Sequence, residues 1–443
     1  MADAARPTVS PMNFVSTRGS AVQASFADAL LQGLAPDGGL YVPSEWPHLE
    51  PQRLPAGDSL AGLAARLIAP FAAGSPLAAE LDTLTAEALN FPAPLVPLDG
   101  EGRLAVLELF HGPTAAFKDF GARFLAAALV RLRRGAARPL KILVATSGDT
   151  GGAVAAAFHE RPGIEVAVLF PRGLVSPTQE RQLTCWGGNV QAYSVRGTFD
   201  DCQCLVKQAF LDEQLRERFE LSSANSINLG RLLPQAVYHA AASLAVWRAS
   251  GERASFVVPS GNLGNALACI WARRLGLPIA DIVLAQNANR PVVDLLASGE
   301  WHPRASIATL ASAMDVGNPS NLERLRALYP QIDALRGAIS ADTVSDEAIR
   351  ARIRAGFERF GQVWCPHTAT AAEVYARLPA ERRARGRWIL AATAHPAKFR
   401  EIVEPLIGQP VPLPPSLARL YQRATSCTEI APQLQALRDA LLG

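Results

Sequence analysis

The residue best suited to covalent chemistry in this chain is Lys118, which lies in the segment HGPTAAFKDF at positions 111–120. Lysine is scarce here, because only Lys118, Lys141, Lys207 and Lys398 among the 43 basic residues are lysines. An amine can lose its proton and attack a carbonyl carbon, whereas a guanidinium group stays protonated. The apolar neighbours of Lys118 predict a buried amine with a lowered pKa. A surface lysine at the start of a helix is the alternative, and it is the commoner setting for this residue type.

A glycine-rich segment is the second candidate element. PSGNLGN, at 259–265, lies between an apolar run and an alanine-rich run, which predicts a strand, a tight turn and a helix. Because Gly261 and Gly264 have no side chains, backbone N–H groups can close around a phosphate at the positive end of the helix. The segment matches neither the dinucleotide-binding nor the NTP-binding motif. A turn that binds nothing fits the pattern equally well.

A second polar turn, TSGDTGG at 146–152, follows the apolar run KILVA. Ser147, Thr150 and the backbone N–H groups of this turn could hold a carboxylate. In ATAHPAKF, at 392–399, Thr393 follows a predicted strand. Open parallel sheets place their ligands at the carboxyl ends of their strands, so Thr393 is a candidate ligand-binding hydroxyl.

A third polar turn, NSINLGR at 225–231, places Asn225, Ser226, Asn228 and Arg231 around the start of a helix. This grouping suggests an oxyanion site, although Arg231 taken alone is better explained as a solvated helix residue. A nucleophilic lysine, a phosphate-binding turn, a carboxylate-binding turn and a hydroxyl at a strand end suit a cofactor with both a phosphate and an aldehyde. Pyridoxal phosphate, acting on an amino acid, fits this description.

Composition limits the class of protein that can carry these groups. At 443 residues the chain is long enough for two or three domains with large cores. Its formal net charge of +3 and the lack of a long basic run argue against nucleic acid as a partner. Six cysteines without C-x-x-C pairs favour a reducing cytosol over a zinc site or a disulfide framework. The first fourteen residues predict a disordered tail and no signal peptide, and no apolar run is long enough to span a membrane.

The elements that must position these residues follow an α/β pattern. From residue 103 onward, continuous apolar strands alternate with helices, which predicts parallel sheets covered by helices on both faces. Before that point, SFADALLQGL predicts a helix capped by Ser25. The segment NFPAPLVPLDG, at 90–100, has too many prolines for regular structure and is predicted to be a linker.

Nine stretches, in order along almost the whole chain, carry a resemblance to a known family. They are STRG (16–19), GLAPDGGLYVP (33–43), HGPTAAFKDFGARF (111–124), SGDTGGA (147–153), SANSINLGRLLPQ (223–235), PSGNLGN (259–265), SAMDVGNPSNLERL (312–325), PHTA (366–369) and TAHPAKF (393–399). Together they resemble the threonine synthase family of fold type II pyridoxal-phosphate enzymes. The resemblance implies a lyase that converts O-phospho-L-homoserine and water to L-threonine and phosphate, the last step of threonine biosynthesis, by γ-elimination and β-addition of water.

The resemblance also implies roles for particular residues toward the cofactor. Lys118 would bind pyridoxal phosphate covalently and shuttle protons, and Thr393 would hydrogen-bond the pyridine nitrogen. Asp149 would lie beside the phenolic oxygen, where a carboxylate repels a phenolate unless the carboxylate is protonated. The residues implied to bind the cofactor phosphate are Gly261, Asn262, Leu263, Gly264 and Asn265.

For the substrate, the resemblance implies two binding groups and no metal ion. Ser147 and Thr150 would hold the carboxylate, and Asn225, Ser226 and Arg231 would hold the phosphate. The predicted domains are an N-terminal extension at 1–95, a smaller mobile α/β domain at 140–224, and a large cofactor-binding domain made of 96–139 and 225–443. Residues 411–443 are expected to form a helical appendage of that large domain.

Two other hypotheses compete with this one. A related fold type II lyase could act on threonine, serine or phosphohomoserine without adding water, and its product would be a 2-oxo acid. A non-catalytic binding protein could keep the fold, but it would be expected to lack Lys118 or the glycine turn. We expect a cytoplasmic enzyme with a small-molecule substrate and no nucleic-acid or membrane partner, and we leave its state open between monomer and homodimer.

Overall fold

The computed structural model describes residues 11–19 and 22–443. Its N-terminal part contains β1 (Phe14–Ser16), α1 (Phe26–Gln32), β2 (Tyr41–Pro43), α2 (Leu60–Ala72) and α3 (Leu81–Ala88). The two strands pair antiparallel. Ser25 caps α1 as predicted, in a reciprocal hydrogen-bonded pair with Asp28. The first ten residues of the predicted disordered tail lie outside the described residues.

Strands and helices then alternate along the chain. The first group is β3 (Leu95–Pro97), β4 (Leu104–Glu108), α4 (Lys118–Leu132), β5 (Leu140–Ala145), α5 (Asp149–Phe158), β6 (Ile164–Pro171), α6 (Pro177–Thr184), β7 (Val190–Val195), α7 (Phe199–Leu211), α8 (Glu213–Arg218) and β8 (Glu220–Ser222). The second group is α9 (Leu229–Leu232), α10 (Gln235–Ser250), β9 (Ala254–Pro259), α11 (Gly264–Arg274), β10 (Ile279–Gln286), α12 (Pro291–Ser298), α13 (Leu322–Leu328), α14 (Ile332–Ala338), β11 (Ser340–Thr343), α15 (Asp346–Phe360), α16 (Pro366–Arg377), α17 (Ala380–Ala384), β12 (Arg387–Ala392), α18 (Arg400–Ile407), α19 (Pro415–Tyr421), β13 (Thr428–Ile430) and α20 (Leu434–Leu442).

The strands form two larger sheets. One has the order β11-β10-β9-β12-β4-β3, and the other has the order β13-β7-β6-β5-β8. All neighbouring strands in both sheets run parallel except β3, which runs antiparallel to β4. Every residue of β5 and of β9 is buried, as expected for strands covered on both faces. The predicted α/β class with parallel sheets is confirmed.

The predicted linker at 90–100 is wrong at its centre. Residues Leu95–Pro97 form β3, which pairs with β4 at the edge of the first sheet. An edge strand tolerates proline, because the side of its backbone that faces away from the sheet needs no hydrogen bond. The number of prolines alone was therefore not sufficient to exclude a strand from this segment.

The C-terminal segment also differs from the expected helical appendage of the large domain. Strand β13 lies beside β7 in the second sheet, with Ile430 opposite Val195. Ile430, Leu437 and Leu441 belong to the apolar cluster that contains Tyr193 of β7. Burial of these side chains explains why the chain end covers this edge. The three boundaries between the predicted domain segments stay a prediction.

The topology brings the polar turns of both sheets together. Helices α4 and α11 follow β4 and β9 of the first sheet, and α5 follows β5 of the second sheet. The turns between them leave the carboxyl ends of their strands, which is where α/β proteins place ligands. Over residues 11–19 and 22–443, no helix is long and apolar enough to cross a membrane.

Candidate active site

A cleft of about 1180 Å³ opens between the carboxyl ends of the two sheets. The thirteen residues that the family resemblance assigns to the site all line it. These residues are Lys118, Ser147, Asp149, Thr150, Asn225, Ser226, Arg231, Gly261, Asn262, Leu263, Gly264, Asn265 and Thr393. The structure thus brings together groups that come from both sheets and from distant parts of the sequence.

Lys118 is the first residue of α4 and is fixed against the end of β12 by the backbone before it. Ala115 has a φ of +53° and turns the chain sharply toward the helix. The N–H group of Phe117 donates to the carbonyl oxygen of Thr393 at 2.8 Å, and that of His395 donates to Ala115 at 3.0 Å. These bonds hold Lys118 and Thr393 at a constant separation on the first sheet.

The surroundings of Lys118 lower the pKa of its amine, as the sequence predicted. Burial lowers the pKa of Lys118 to about 8. The charge of Asp149 opposes this shift, whereas Arg231 and Lys398 add to it. Near neutral pH a useful fraction of the amine is therefore unprotonated.

Asp149 at the start of α5 is ionised and paired. Its Oδ1 lies 2.7 Å from Nζ of Lys398 and accepts a hydrogen bond from Nε2 of Gln179 at 2.9 Å. Burial would raise the pKa of Asp149, but Lys398 and Lys118 outweigh it and hold the pKa well below its usual range. The sequence suggested protonation of Asp149 as the way to avoid repulsion of a phenolate. In the structure the charge of Asp149 is instead balanced by its pairing with Lys398.

The glycine turn between β9 and α11 has a shape that side chains would disturb. A Cβ atom on Gly261 would lie 2.7 Å from the Cα atom of Met314, which is too close for any other residue type. Leu263 has a φ of +63° and takes the left-handed conformation. Helix α11 then starts at Gly264 with no side chain capping its first N–H groups. Free N–H groups at the start of an eleven-residue helix form an anion-binding site.

Asn262 and Asn265 surround this turn in different ways. Asn262 donates from Nδ2 to Oγ of Ser226 at 2.6 Å and accepts from the N–H group of Ser320 at 2.6 Å. The side-chain oxygen of Asn265 accepts from the Tyr238 hydroxyl at 2.7 Å and lies 2.9 Å from Nε2 of His239. These contacts orient Asn265 while leaving its Nδ2 buried without a partner.

The turn between β5 and α5 is shaped by Thr146 and Gly148. The Thr146 hydroxyl accepts from the N–H groups of Gly148 and Gly151 at 2.9 and 2.8 Å. Gly148 has a φ of +134°, and a Cβ atom there would lie 2.5 Å from the side chain of Gln179. No side chain caps α5. The hydroxyls of Ser147 and Thr150 line the cleft at this helix start and have no partner among the described residues.

The oxyanion cluster predicted at 225–231 is present and incompletely satisfied. Arg231 is 2 % exposed, and one of its terminal nitrogens donates to the carbonyl oxygen of Ala224. Its Nε atom and the side-chain oxygen of Asn225 are buried without partners in the part of the chain that the structure describes. Burial lowers the pKa of Arg231 to about 10, which still leaves the group charged at neutral pH. Asn228 does not line the cleft, because its side chain caps α9 and donates to Leu30.

Family models match consecutive parts of the chain. A model described as "Pyridoxal-phosphate dependent enzyme" matches residues 87–393, "Threonine synthase N terminus" matches 13–89, and "Threonine synthase, C-terminal" matches 368–441. The chain is 38% identical to threonine synthase of Haemophilus influenzae, over 97% of this chain and 100% of that protein. The chain belongs to the threonine synthase family. Escherichia coli threonine synthase is 37% identical, over 95% of this chain and 97% of that protein.

Solved structures of the family have the same fold. Pyridoxal-phosphate-bound threonine synthase from Brucella melitensis superposes with a TM-score of 0.89 at 36% identity, over 97% of this chain and 98% of that one. The threonine synthase structure from Escherichia coli superposes with a TM-score of 0.87 at 35% identity, over 97% and 99% of the two chains. The chain therefore shares the fold of these threonine synthases over almost its whole length.

The residues of the cleft fit pyridoxal phosphate. The glycine turn offers uncapped N–H groups to a phosphate, and Asn265 of the same turn lines the cleft with a buried Nδ2 that has no partner among the described residues. Lys118 is a lysine with a lowered pKa, as a covalent bond to an aldehyde requires. The hydroxyl of Thr393 has no partner among the described residues and can bond to a ring nitrogen.

The sequence analysis did not identify several residues that hold the site residues in place. Lys398 and Gln179 hold Asp149, and Arg324 and Asn321 hold the loop that carries Ser226. Lys398 could have been found by the rule that identified Lys118, since both are among the four lysines. Asn321 and Arg324 lie in a stretch that supported the family resemblance, but no feature of that stretch pointed to their role.

Proposed function

We propose that this protein converts O-phospho-L-homoserine and water to L-threonine and phosphate with pyridoxal phosphate bound at Lys118. The observation that carries the proposal is the meeting of thirteen predicted residues in one cleft, with a buried and partly unpaired arginine at one end. That arginine fits a substrate phosphate. Lyases whose substrates have no phosphate would gain nothing from such a group.

For the cofactor, the uncapped start of α11 and the residues Gly261–Asn265 would hold the phosphate. Thr393 would bond to the pyridine nitrogen, and a neutral hydroxyl does not favour protonation there as a carboxylate would. Asp149, with its charge balanced by Lys398, would lie toward the phenolic oxygen. When bound, pyridoxal phosphate supplies an electron sink that stabilises negative charge on substrate carbons.

Lys118 would move the protons of the reaction. Its Nζ would take the proton from Cα of the substrate and return one at the end, since α4 and the Thr393 backbone hold it in a fixed place. A pKa near 8 allows the amine to work in both directions around neutral pH. Fixed placement also removes much of the entropic cost of bringing the base to the substrate.

The two polar turns would orient the substrate from opposite ends. Ser147, Thr150 and the N–H groups at the start of α5 would hold the carboxylate. Asn225, Ser226 and Arg231 would hold the phosphate, whose charge grows as it departs. Charge-assisted bonds from a guanidinium group are directional, so the phosphate would be positioned as well as neutralised.

We further place the enzyme in the cytoplasm, with a small molecule as its substrate and no nucleic-acid or membrane partner. The six cysteines are free thiols, which supports a reducing compartment. The choice between monomer and homodimer would be made by sedimentation of the purified protein.

The test is to incubate the purified, cofactor-loaded protein with O-phospho-L-homoserine and to measure phosphate and threonine together. Equal amounts of both products are expected, and a Lys118→Ala variant should make neither. Phosphate with a 2-oxo acid and no threonine would identify a lyase that does not add water. Absence of all three products in a folded, cofactor-loaded protein would favour a binding protein.

A further inference from the structure

The charges of Lys398 and Lys118 both act on one carboxylate, that of Asp149, across the junction of the two sheets. Lys398, in the turn after β12 of the first sheet, is completely buried and places Nζ 2.7 Å from Oδ1 of Asp149. Asp149 starts α5 of the second sheet and also attracts the protonated Lys118. Nζ of Lys398 makes a second bond to the carbonyl oxygen of Thr114 at 3.1 Å. Thr114 lies four residues before Lys118 in the chain. The Lys398–Asp149 pair is therefore connected to Lys118 through Thr114 as well as through the charge of Asp149.

Lys398 does not itself reach the cleft. It is absent from the lining of the cleft, whereas Asp149 and Lys118 both line it. Its hydrogen-bonding capacity is directed to Asp149 and Thr114, and Gln182 adds a second bond to the same Thr114 carbonyl at 2.9 Å. Any effect of Lys398 on the chemistry must therefore pass through Asp149 or through its charge.

We propose that Lys398 is a positioning residue that neutralises Asp149 and thereby sets the proton affinity of the Lys118 nitrogen. Without Lys398, Asp149 would be a buried carboxylate on which Lys118 is the cation with the largest effect. The carboxylate would then hold a proton on Lys118 and reduce the fraction of free amine. With Lys398 in place, the carboxylate can orient toward the cofactor without trapping the amine. This inference deepens the proposed function, because it concerns the residue on which that function depends.

An electrostatic role for Lys398 predicts shifts in the titration of Lys118 that a purely structural role does not. Removing the cation at 398 should raise the pH at which the Lys118 nitrogen loses its proton, and removing the anion at 149 should lower it. Removing both should return the midpoint close to its original value. A pair that served only to join the two sheets would not shift the midpoint in opposite directions. The other charged or titratable groups that interact with Lys118 or with the pair, none of which is substituted in this comparison, are Asp119, Arg231, Cys365, His367 and His395.

The experiment compares the wild type with Lys398→Met, Asp149→Asn, the double variant and Lys207→Met. Lys207 is an exposed lysine on α7 that also lines the cleft, so its loss controls for removal of a distant cation. The first measurement is the visible absorbance of the cofactor-loaded enzyme against pH, which reports the proton on the Lys118 nitrogen. The second is trace acetylation of the full chain after removal of the cofactor, followed by digestion at arginine.

Digestion at arginine suits this chain because its lysines fall in separate peptides. Lys118 is the sole lysine of 104–123, Lys207 of 197–216 and Lys398 of 388–400. Lys207 serves as the internal standard for an exposed amine in every protein except Lys207→Met, which is compared by absorbance alone. The acetylation readout needs neither cofactor nor threonine synthesis, so its result stands whether or not the proposed function holds.

In both measurements the midpoint should rise by about one pH unit in Lys398→Met and fall by about one in Asp149→Asn, the size expected for one nearby charge. The double variant should lie within about half a unit of the wild type, and Lys207→Met should not differ from it. If Lys398→Met does not fold, the fall in Asp149→Asn and its reversal in the double variant still decide. Equal midpoints in all folded variants, or shifts of the same sign in both single variants, would overturn the proposal.

Discussion

Two buried arginines flank the loop at 224–228, and they differ in how completely they are bonded. Arg324 on α13 donates to the carbonyl oxygens of Tyr41, Ser226 and Ile227 and to the side chain of Asn321. Arg231 on α9 donates to Ala224 and leaves Nε buried without a partner. Neither arginine forms an ion pair with a carboxylate among the described residues. Arg231 lines the cleft and Arg324 does not.

The difference suits Arg324 to a structural role and Arg231 to the binding role that we propose for it. A buried polar group without a partner costs free energy, so a group of this kind that lines a cleft is a candidate for completion by a ligand. Hydrogen bonds within the protein satisfy Arg324, which fixes the loop. Arg231, on the other side of the same loop, keeps an Nε atom without a partner among the described residues. The N-terminal region contributes to the structural role of Arg324, because one hydrogen bond of Arg324 is to the carbonyl oxygen of Tyr41 in β2.

The largest effect expected from this comparison is on stability. Arg324→Met should lower the free energy of unfolding by about 3–5 kcal/mol, since it leaves buried carbonyl oxygens unpaired. Urea denaturation measures this. Arg326→Met on the exposed side of the same helix is the matched control and should change stability by less than about 0.5 kcal/mol. Equal stability of the two variants would show that Arg324 does not hold the loop.

Arg231→Ala should instead act on catalysis. Loss of one member of a buried charge pair with the substrate phosphate should reduce kcat/KM by roughly 2–5 kcal/mol. Arg231→Lys should recover part of the loss, because one ammonium replaces a planar fork of donors. Phosphate release against substrate concentration is the measurement, with cofactor content checked and expected to be unchanged. A normal kcat/KM in a folded, cofactor-loaded Arg231→Ala variant would remove Arg231 from the site.

The hydroxyl of Thr393 is another group without a partner among the described residues, and it should matter for turnover alone. In Thr393→Asp, a carboxylate would favour a protonated pyridine ring and change the distribution of charge during the reaction. We expect kcat to fall by about tenfold, or about 1.4 kcal/mol, with the cofactor still bound. Steady-state kinetics and cofactor absorbance test this together. An unchanged kcat at full cofactor occupancy would mean that Thr393 does not touch the ring.

The smallest effect concerns inorganic phosphate. With cofactor already bound, phosphate at about ten times its Kd should stabilise the protein by about 1.4 kcal/mol through the cluster at Arg231. Thermal unfolding of the cofactor-loaded protein should show this rise for the wild type and not for Arg231→Ala. Equal stabilisation of both proteins would place the phosphate elsewhere.

The turns were predictable because each is a local pattern. A lysine with apolar neighbours, a glycine turn between a strand and a helix, and a polar residue after a strand identified Lys118, Gly261 and Thr393. Partnerships between distant segments were not predictable. The pairing of Asp149 with Lys398 depends on how the two sheets meet, and the addition of β13 to β7 depends on burial of the chain end. Arg231 and Arg324 are alike in sequence terms, and only their partners in the fold distinguish them.

Everything proposed for the cleft depends on Lys118 being the lysine that binds pyridoxal phosphate. Borohydride reduction of the cofactor-loaded enzyme fixes the cofactor on its lysine, and digestion at arginine then separates the candidate peptides. We expect the pyridoxyl group on the peptide at 104–123, in which Lys118 is the sole lysine. A pyridoxyl group on Lys141, Lys207 or Lys398 instead would contradict the assignment of the site.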